Sequence, residues 1–349
     1  MKEITIKKRD SNFELLRIIA MFLVMISHAT FLALGVPTYE DSINIPYSSF
    51  GTFLSQSFST ACVNIFVLLS GWFGIKVNLK RFSEFIFQVF FFTSIIFIGL
   101  YIYSSNLVTN TDALLTFFMF HSSDYWFVKA YIGLYLFSPI LNTFAERASQ
   151  KQLGYFLIAF FIFQTIYGWL SIDGVQWIGG GYSAVSFFFL YLLAKYTRKY
   201  LVVDINKINQ KLYITVYIGI VLFIATLAFI VTRLGFPIAG RLFTYTNPLV
   251  ILESLLLVII FSRISIKNKI INWVGISCFS VYLLHANELL LRPYYGKIIN
   301  NFSVTGNIDF FLISTILFIL GVFFFSILLD KVRIAIWNII ISHLSKQYY

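Results

Sequence analysis

The sequence predicts an all-α polytopic membrane protein, and three observations carry that expectation. Of the 349 residues, 59% are hydrophobic and 12% are charged, about half the charged share of an ordinary soluble domain. The mean hydropathy is +0.83. The apolar residues gather into segments that approach the roughly 20 residues needed to cross a bilayer as a helix. A soluble fold of this length still has a large, partly polar exterior to build, and so few charges do not build it. Disorder is excluded because the chain is too hydrophobic. Collagen-like and disulfide-scaffold classes fail on 19 Gly, 6 Pro and 2 Cys.

Ten apolar segments follow in order: 13–34, 57–75, 84–104, 126–144, 153–170, 182–196, 212–233, 245–262, 272–290 and 309–329. The first follows a basic stretch, Met1–Asp10. It is too long for a signal-peptide core and lacks a small-residue cleavage site, so it reads as a span. Segments 153–170 and 182–196 are short, which fits a different tilt or a partly re-entrant path. The stretch 112–121 is too short to span and fits an interfacial helix. No fixed-period repeat is visible, which argues against inverted-repeat transporter folds. The chain thus reads as one transmembrane domain, 1–349, with a basic N-terminus (1–12) and a C-terminal tail (331–349). Cys62 and Cys278 lie within apolar stretches, at a spacing that suits neither a disulfide framework nor a metal site.

The net charge of +11 would suggest nucleic acid in a soluble protein. Here its distribution gives another reading. With the N-terminus inside, the inner loops hold twenty of the 26 Lys and Arg residues, and the outer loops hold only Arg233, Arg241, Arg292 and Lys297. Arg17 and Lys129 fall within spans. That alternation is the positive-inside pattern. It places both termini in the cytoplasm and removes nucleic acid from the expected partners.

Charged groups in hydrocarbon cost several kcal/mol, roughly 2.5–3.5 on insertion scales, so each needs a reason. The first span carries Glu14, Arg17 and His28. Arg17 and His28 are eleven residues apart, about 20° past three helical turns and ~16 Å along the axis. They share a face, and Glu14 joins it one turn before Arg17. A fixed cation near the cytoplasm is thus aligned with a titratable base in the outer half. Lipid snorkelling of Arg17 and interfacial hydrogen bonding of His28 are the structural alternatives. The ninth span carries His285 at the same outer depth as His28, with Ser280 and Tyr282 before it and Glu288 one turn beyond, where it can orient or charge the ring. The fourth span opens on Tyr125 and Trp126, with Lys129 one turn deeper. The second holds Asn64 at depth and a Ser70-Gly71 step that permits close helix approach. Glu253 lies in the eighth span. No Walker loop, dinucleotide fingerprint, HExxH or GxSxG is present.

Four stretches, in order, resemble acyltransferase family 3, the bacterial membrane O-acyltransferases of surface and secreted polysaccharides. They are Asn12-Phe-Glu14-Leu-Leu-Arg17…Ser27-His28, Val63-Asn64-Ile-Phe-Val-Leu-Leu-Ser70-Gly71-Trp72, Tyr125-Trp126-Phe127…Tyr131-Ile-Gly133-Leu-Tyr135-Leu-Phe-Ser138-Pro139, and Phe279-Ser280-Val-Tyr282-Leu-Leu-His285. Together they cover nearly the whole chain. The resemblance implies a ten-helix enzyme in the bacterial cytoplasmic membrane that uses cytoplasmic acyl-CoA, by default acetyl-CoA, and a carbohydrate acceptor reached from outside. The acceptor is a polysaccharide or its lipid-linked precursor. Arg17 and His28 carry over as the essential pair. Some members carry an Arg-x-x-Arg motif after the second helix. This chain has Lys76, Lys80 and Arg81 there, with basic charge but different spacing.

Acyl transfer to a sugar hydroxyl needs a base, and imidazole has the appropriate range. His28 is the expected general base, with a covalent acyl-histidine relay as the other route. Arg17 is expected to meet CoA, with Lys76, Lys80 and Arg81 beside it. Asn64, Ser70 and Tyr282 are candidates for the oxyanion. The expected substrate-binding set is Asn64, Trp126, Lys129, Tyr282, His285 and Glu288, with no metal. The main rival is a carrier of glycan or lipid-linked sugar, in which Arg17, Lys129 and Arg241 line an anionic path. A polysaccharide polymerase fits less well, because the outer loops are short.

Overall fold

The computed structural model describes residues 10–118, 125–171 and 177–347. Lys2, Lys7, Lys8 and Arg9 of the basic N-terminus, residues 119–121 of the expected interfacial helix and residues 348–349 of the tail lie outside them. Among the described residues there is no strand. Seventeen α-helices follow in order: α1 (Ser11–Ser27), α2 (Tyr39–Asn44), α3 (Pro46–Ser59), α4 (Cys62–Phe73), α5 (Leu79–Tyr103), α6 (Asn110–Phe118), α7 (Trp126–Arg147), α8 (Gln150–Phe163), α9 (Ala184–Tyr196), α10 (Val202–Lys207), α11 (Gln210–Arg233), α12 (Pro248–Ser262), α13 (Lys269–Ile276), α14 (Cys278–His285), α15 (Glu288–Leu290), α16 (Lys297–Thr305) and α17 (Ile308–Gln347).

All ten expected segments are helical. Seven helical stretches are long and apolar enough to cross a membrane, and an eighth is formed if the bent pair Lys269–His285 and Glu288–Thr305 counts as one span. The other two expected segments correspond to α7 and α9, which are packed against each other. The chain is a multi-pass membrane protein. Burial sorts the helices into an inner and an outer set. The α3–α4 stretch is 72% buried and the α12 stretch 67%, whereas α8 is 17% and α5 and α17 are 28% buried. The outer helices therefore give most of their apolar surface to lipid, and the inner ones lock the bundle.

Helix α1 runs through the centre, against α3, α4, α12, α13 and α14. Its Leu16, Ala20, Met21, Leu23 and Met25 are buried. Helix α4 ends at Gly74, which takes φ +76° as its C-cap. Gly71, one turn earlier, lies directly on the backbone of α9. A Cβ there would stand 2.8 Å from Tyr191 Cα and closer still to the Tyr191 carbonyl oxygen. The close approach expected from Ser70-Gly71 thus occurs between α4 and α9. Side-chain caps begin the next helices: Asn78 on α5, Ser149 with Gln152 on α8, and Asn268 on α13. Each satisfies backbone N–H groups that have no partner within the helix.

Several features depart from regular spans, among them π-helical stretches at Gln164–Leu170, Thr197–Leu201 and Leu291–Gly296. Helix α1 continues into a π-helical stretch, His28–Leu32. Helices α13–α14 bend by 60° relative to the Glu288–Thr305 stretch. Tyr125 and Asn287 pin the bend: the Tyr125 hydroxyl donates to the Leu283 carbonyl, and Asn287 Nδ2 donates to the Tyr125 oxygen over 3.2 Å. Helix α17 is longer than the expected span, which ended at 329. It continues to Gln347, so most of the expected tail is helix. The apolar pattern resumes after Arg333 with Ile334, Ile336, Trp337 and Ile339–Ile341, and the apolar span runs to His343. A buried charge network lies within it. Arg333 holds Asp330 through Nε and Nη2, at 2.9 and 3.1 Å. Arg333 Nη1 reaches Glu84 at 3.3 Å, and Gln88 Nε2 donates to Asp330 over 3.0 Å. The network fastens α17 to α5.

Candidate active site

His28 is the C-cap of α1 and the first residue of the π stretch. A π turn widens the helix and is often found at functional positions. Here Thr30 Oγ1 donates to Gln56 Oε1 over 2.7 Å, and Gln56 Nε2 donates to Ser27 Oγ over 3.0 Å. Helix α3 therefore braces the turn on both sides of His28.

The His28 ring meets His285 of α14. His28 Nδ1 lies 3.1 Å from His285 Nε2. His285 Nδ1 lies 2.6 Å from the Val281 carbonyl oxygen. A carbonyl only accepts, so His285 Nδ1 carries a hydrogen. With both rings neutral, His285 Nε2 is then an acceptor, and His28 Nδ1–H donates to it. The tautomers follow from this network. His28 Nε2 is left with its lone pair and has no hydrogen bond among the described residues. Tyr295 packs on the far side of His285 with ring centres 5.2 Å apart, and its hydroxyl donates to the Met25 carbonyl over 2.8 Å.

His28 lines a small cavity of about 40 Å3, whose walls include Ser27, Cys62, Val63, Trp126, Tyr245 and Tyr282. Trp126 is held there by Tyr182 and Tyr245, at ring-centre distances of 4.4 and 5.7 Å. A second cavity, about 410 Å3, is lined by Arg17, Ser70, Gln88, Tyr131 and Cys278, among others. Phe66, Phe127 and Phe279 line both cavities. Their rings form a collar, with Phe127 at 6.3 Å from Phe66 and 6.2 Å from Phe279. The shared face of Arg17 and His28 is thus realised as two chambers along one helix, separated by aromatic rings. Arg17 Nη1 is held 2.5 Å from Glu14 Oε1, the i,i+3 partner expected from sequence.

The structure sorts the remaining expected residues. Tyr282 and Trp126 line the His28 cavity. Asn64 is buried but lines neither cavity; its Nδ2 donates to the Tyr245 carbonyl over 3.0 Å and holds that wall in place. Ser70 lines the Arg17 cavity, donates to the Phe66 carbonyl and lies 3.3 Å from the Tyr131 hydroxyl. Lys129 is exposed and lines neither cavity. Glu288 is half-buried beyond the bend, and the hydrogen bonds that set His285 come from Val281 and His28 instead. Lys76, Lys80 and Arg81 are exposed around the α4–α5 turn, outside the wall of the Arg17 cavity. Sequence reasoning missed Gln56 and Tyr295, which brace the two histidines. The only trace of Gln56 in the sequence is a polar residue in the Ser-rich stretch before the second span.

This arrangement, a solitary imidazole lone pair in an apolar chamber beside a cation-mouthed chamber, suits proton transfer at a buried reacting group. The sequence profile of the acyltransferase domain of family 3 matches residues 10–329. The chain belongs to that family, and it is a membrane acyltransferase. No curated protein and no solved structure matches it.

Proposed function

We propose that the protein moves an acyl group, acetyl by family resemblance, from cytoplasmic acyl-CoA to a hydroxyl of a surface or secreted polysaccharide or its lipid-linked precursor, in the bacterial cytoplasmic membrane. The observation that supports this reading most directly is the His28–His285–Val281 chain, which leaves one imidazole nitrogen available as a base in a mainly apolar chamber. The Arg17 chamber is the donor's side and the His28 chamber the reaction side. The pantetheine arm passes the Phe66, Phe127 and Phe279 collar, and the ~16 Å between Arg17 and His28 along the helix suits such an arm.

In the reaction, His28 Nε2 takes the proton of the acceptor hydroxyl while that oxygen attacks the thioester carbon. The Tyr282 hydroxyl, in the chamber wall, serves the developing oxyanion. Collapse breaks the C–S bond, and the departing sulfur takes the proton from His28. The products are the ester and CoA thiol. His285 accepts from Nδ1–H throughout and stabilises the imidazolium. General acid–base catalysis contributes about 10²–10⁴-fold.

The test uses membranes supplied with acyl-CoA and acceptor glycan. His28→Ala abolishes product while the protein remains inserted; normal turnover would end the proposal. Arg17→Ala weakens the dependence on acyl-CoA. Mass spectrometry of surface glycan from cells with and without the protein identifies the acyl group and its acceptor.

A further inference from the structure

The end of α4 carries a second cationic feature that the two chambers leave unexplained. Tyr191, Lys195 and Arg198 follow one another at i, i+4 and i+7 along α9 and its continuation, so they share a face. Gly71 lets Tyr191 lie directly on α4, and that contact carries Lys195 and Arg198 over the α4 C-terminus. Arg198 donates to the Trp72 carbonyl. Its guanidinium carbon stands 5.6 Å from the centre of the Phe73 ring, and Arg17's stands 5.9 Å from the same centre. Lys195 Nζ lies beside Gly74, 3.1 Å from the place a Cβ would occupy. Phe73 itself is 41% exposed, so the cluster opens outward. The carboxylates facing these groups are Glu14, on Arg17, and Glu146, near Lys195. Lys199 is occupied with the Ala145 and Glu146 carbonyls at the end of α7. Arg17, Lys195 and Arg198 therefore outnumber two carboxylates around the α4 C-terminus, and Arg17 joins this cluster to the larger chamber, which it lines.

We infer that Arg198 and Lys195, together with Arg17 around Phe73, form a phosphate-binding mouth that takes the phosphorylated nucleotide end of the thioester donor. This rests on the acyl-CoA reading above and assigns its anion site to α9 rather than to Lys76, Lys80 and Arg81. Guanidinium groups recognise phosphate through paired N–H donors, and Arg198 has donors left beyond the one on Trp72. The sources of phosphate are the donor nucleotide and an anionic lipid headgroup, and the experiment separates them.

The full chain is placed in nanodiscs of phosphatidylcholine alone or with added phosphatidylglycerol, and binding of CoA and of pantetheine, which lacks the nucleotide phosphates, is measured. Arg198→Gln and Lys195→Gln each weaken CoA binding tenfold or more and leave pantetheine binding unchanged, in both lipid mixtures. Lys195→Gln leaves the Arg198–Trp72 contact intact, so it serves if Arg198→Gln unfolds. Unchanged CoA affinity in the folded variants overturns the inference and leaves the acyl-CoA reading standing. CoA binding by the wild type that phosphatidylglycerol suppresses tenfold marks the cluster as a headgroup site and also overturns it. A wild type that binds neither CoA nor pantetheine removes the acyl-CoA reading itself.

Discussion

Replacing His285 by leucine isolates the contribution of the second imidazole. His285 accepts from His28 Nδ1 at 3.1 Å and is itself fixed by Val281 at 2.6 Å. When His28 takes a proton, that hydrogen bond is made to a charged group, which contributes about 1.5–3 kcal/mol. At about 1.36 kcal/mol per tenfold, the leucine variant loses roughly 10–150-fold in kcat. Leucine fills most of the space between Tyr295 and α1, so the thermal midpoint moves little. Glutamine places an amide oxygen near the former Nε2 and recovers much of the rate. The assay is initial-rate acyl transfer by purified protein, with melting followed in parallel. A folded leucine variant with wild-type kcat would refute the reasoning, because His28 would then need no acceptor.

Four other substitutions test three separate parts of the structure. Gln56→Leu removes both bonds that brace the π turn, and kcat falls while acyl-CoA binding is kept; unchanged kinetics would show that the turn holds itself. Gly71→Ala forces a methyl against the Tyr191 backbone, which overpacks the α4–α9 contact by about 1–3 kcal/mol and lowers the melting temperature in detergent. Asp330→Ala leaves Arg333, 3% exposed, without its two-point partner and destabilises the protein by about 3–5 kcal/mol. Glu84→Gln, at a side chain 42% exposed, costs less than about 1 kcal/mol, and chemical denaturation compares the two.

Much of this was legible in the chain. Helical periodicity placed Arg17 and His28 on one face because α1 keeps α-helical geometry up to His28. Depth counting put His285 level with His28, but depth carries no rotation, so the ring-to-ring contact had to come from how α1 and α14 pack. Gly71 announced a close approach without naming α9 as its partner. Lys129 looked functional because it interrupts an apolar stretch, yet the packing of α7 turns it outward. Lys76, Lys80 and Arg81 drew attention as neighbours in sequence, whereas Arg198 meets Phe73, the ring that Arg17 also faces, only through the α4–α9 contact. Glu288 lost its expected role to the 60° bend, which carries it past His285. The Arg333 network was illegible because its partners, Glu84 and Gln88, lie some 245 residues away along the chain.

The three phenylalanine rings between the chambers bear on the cell's energy supply. A group-transfer protein open to water from both faces would short-circuit the proton-motive force. Benzene rings hold no chain of hydrogen-bonded water, so a Grotthuss wire from Arg17 to His28 is interrupted at this point. On the function proposed above, the acyl group is handed past these rings without opening such a path.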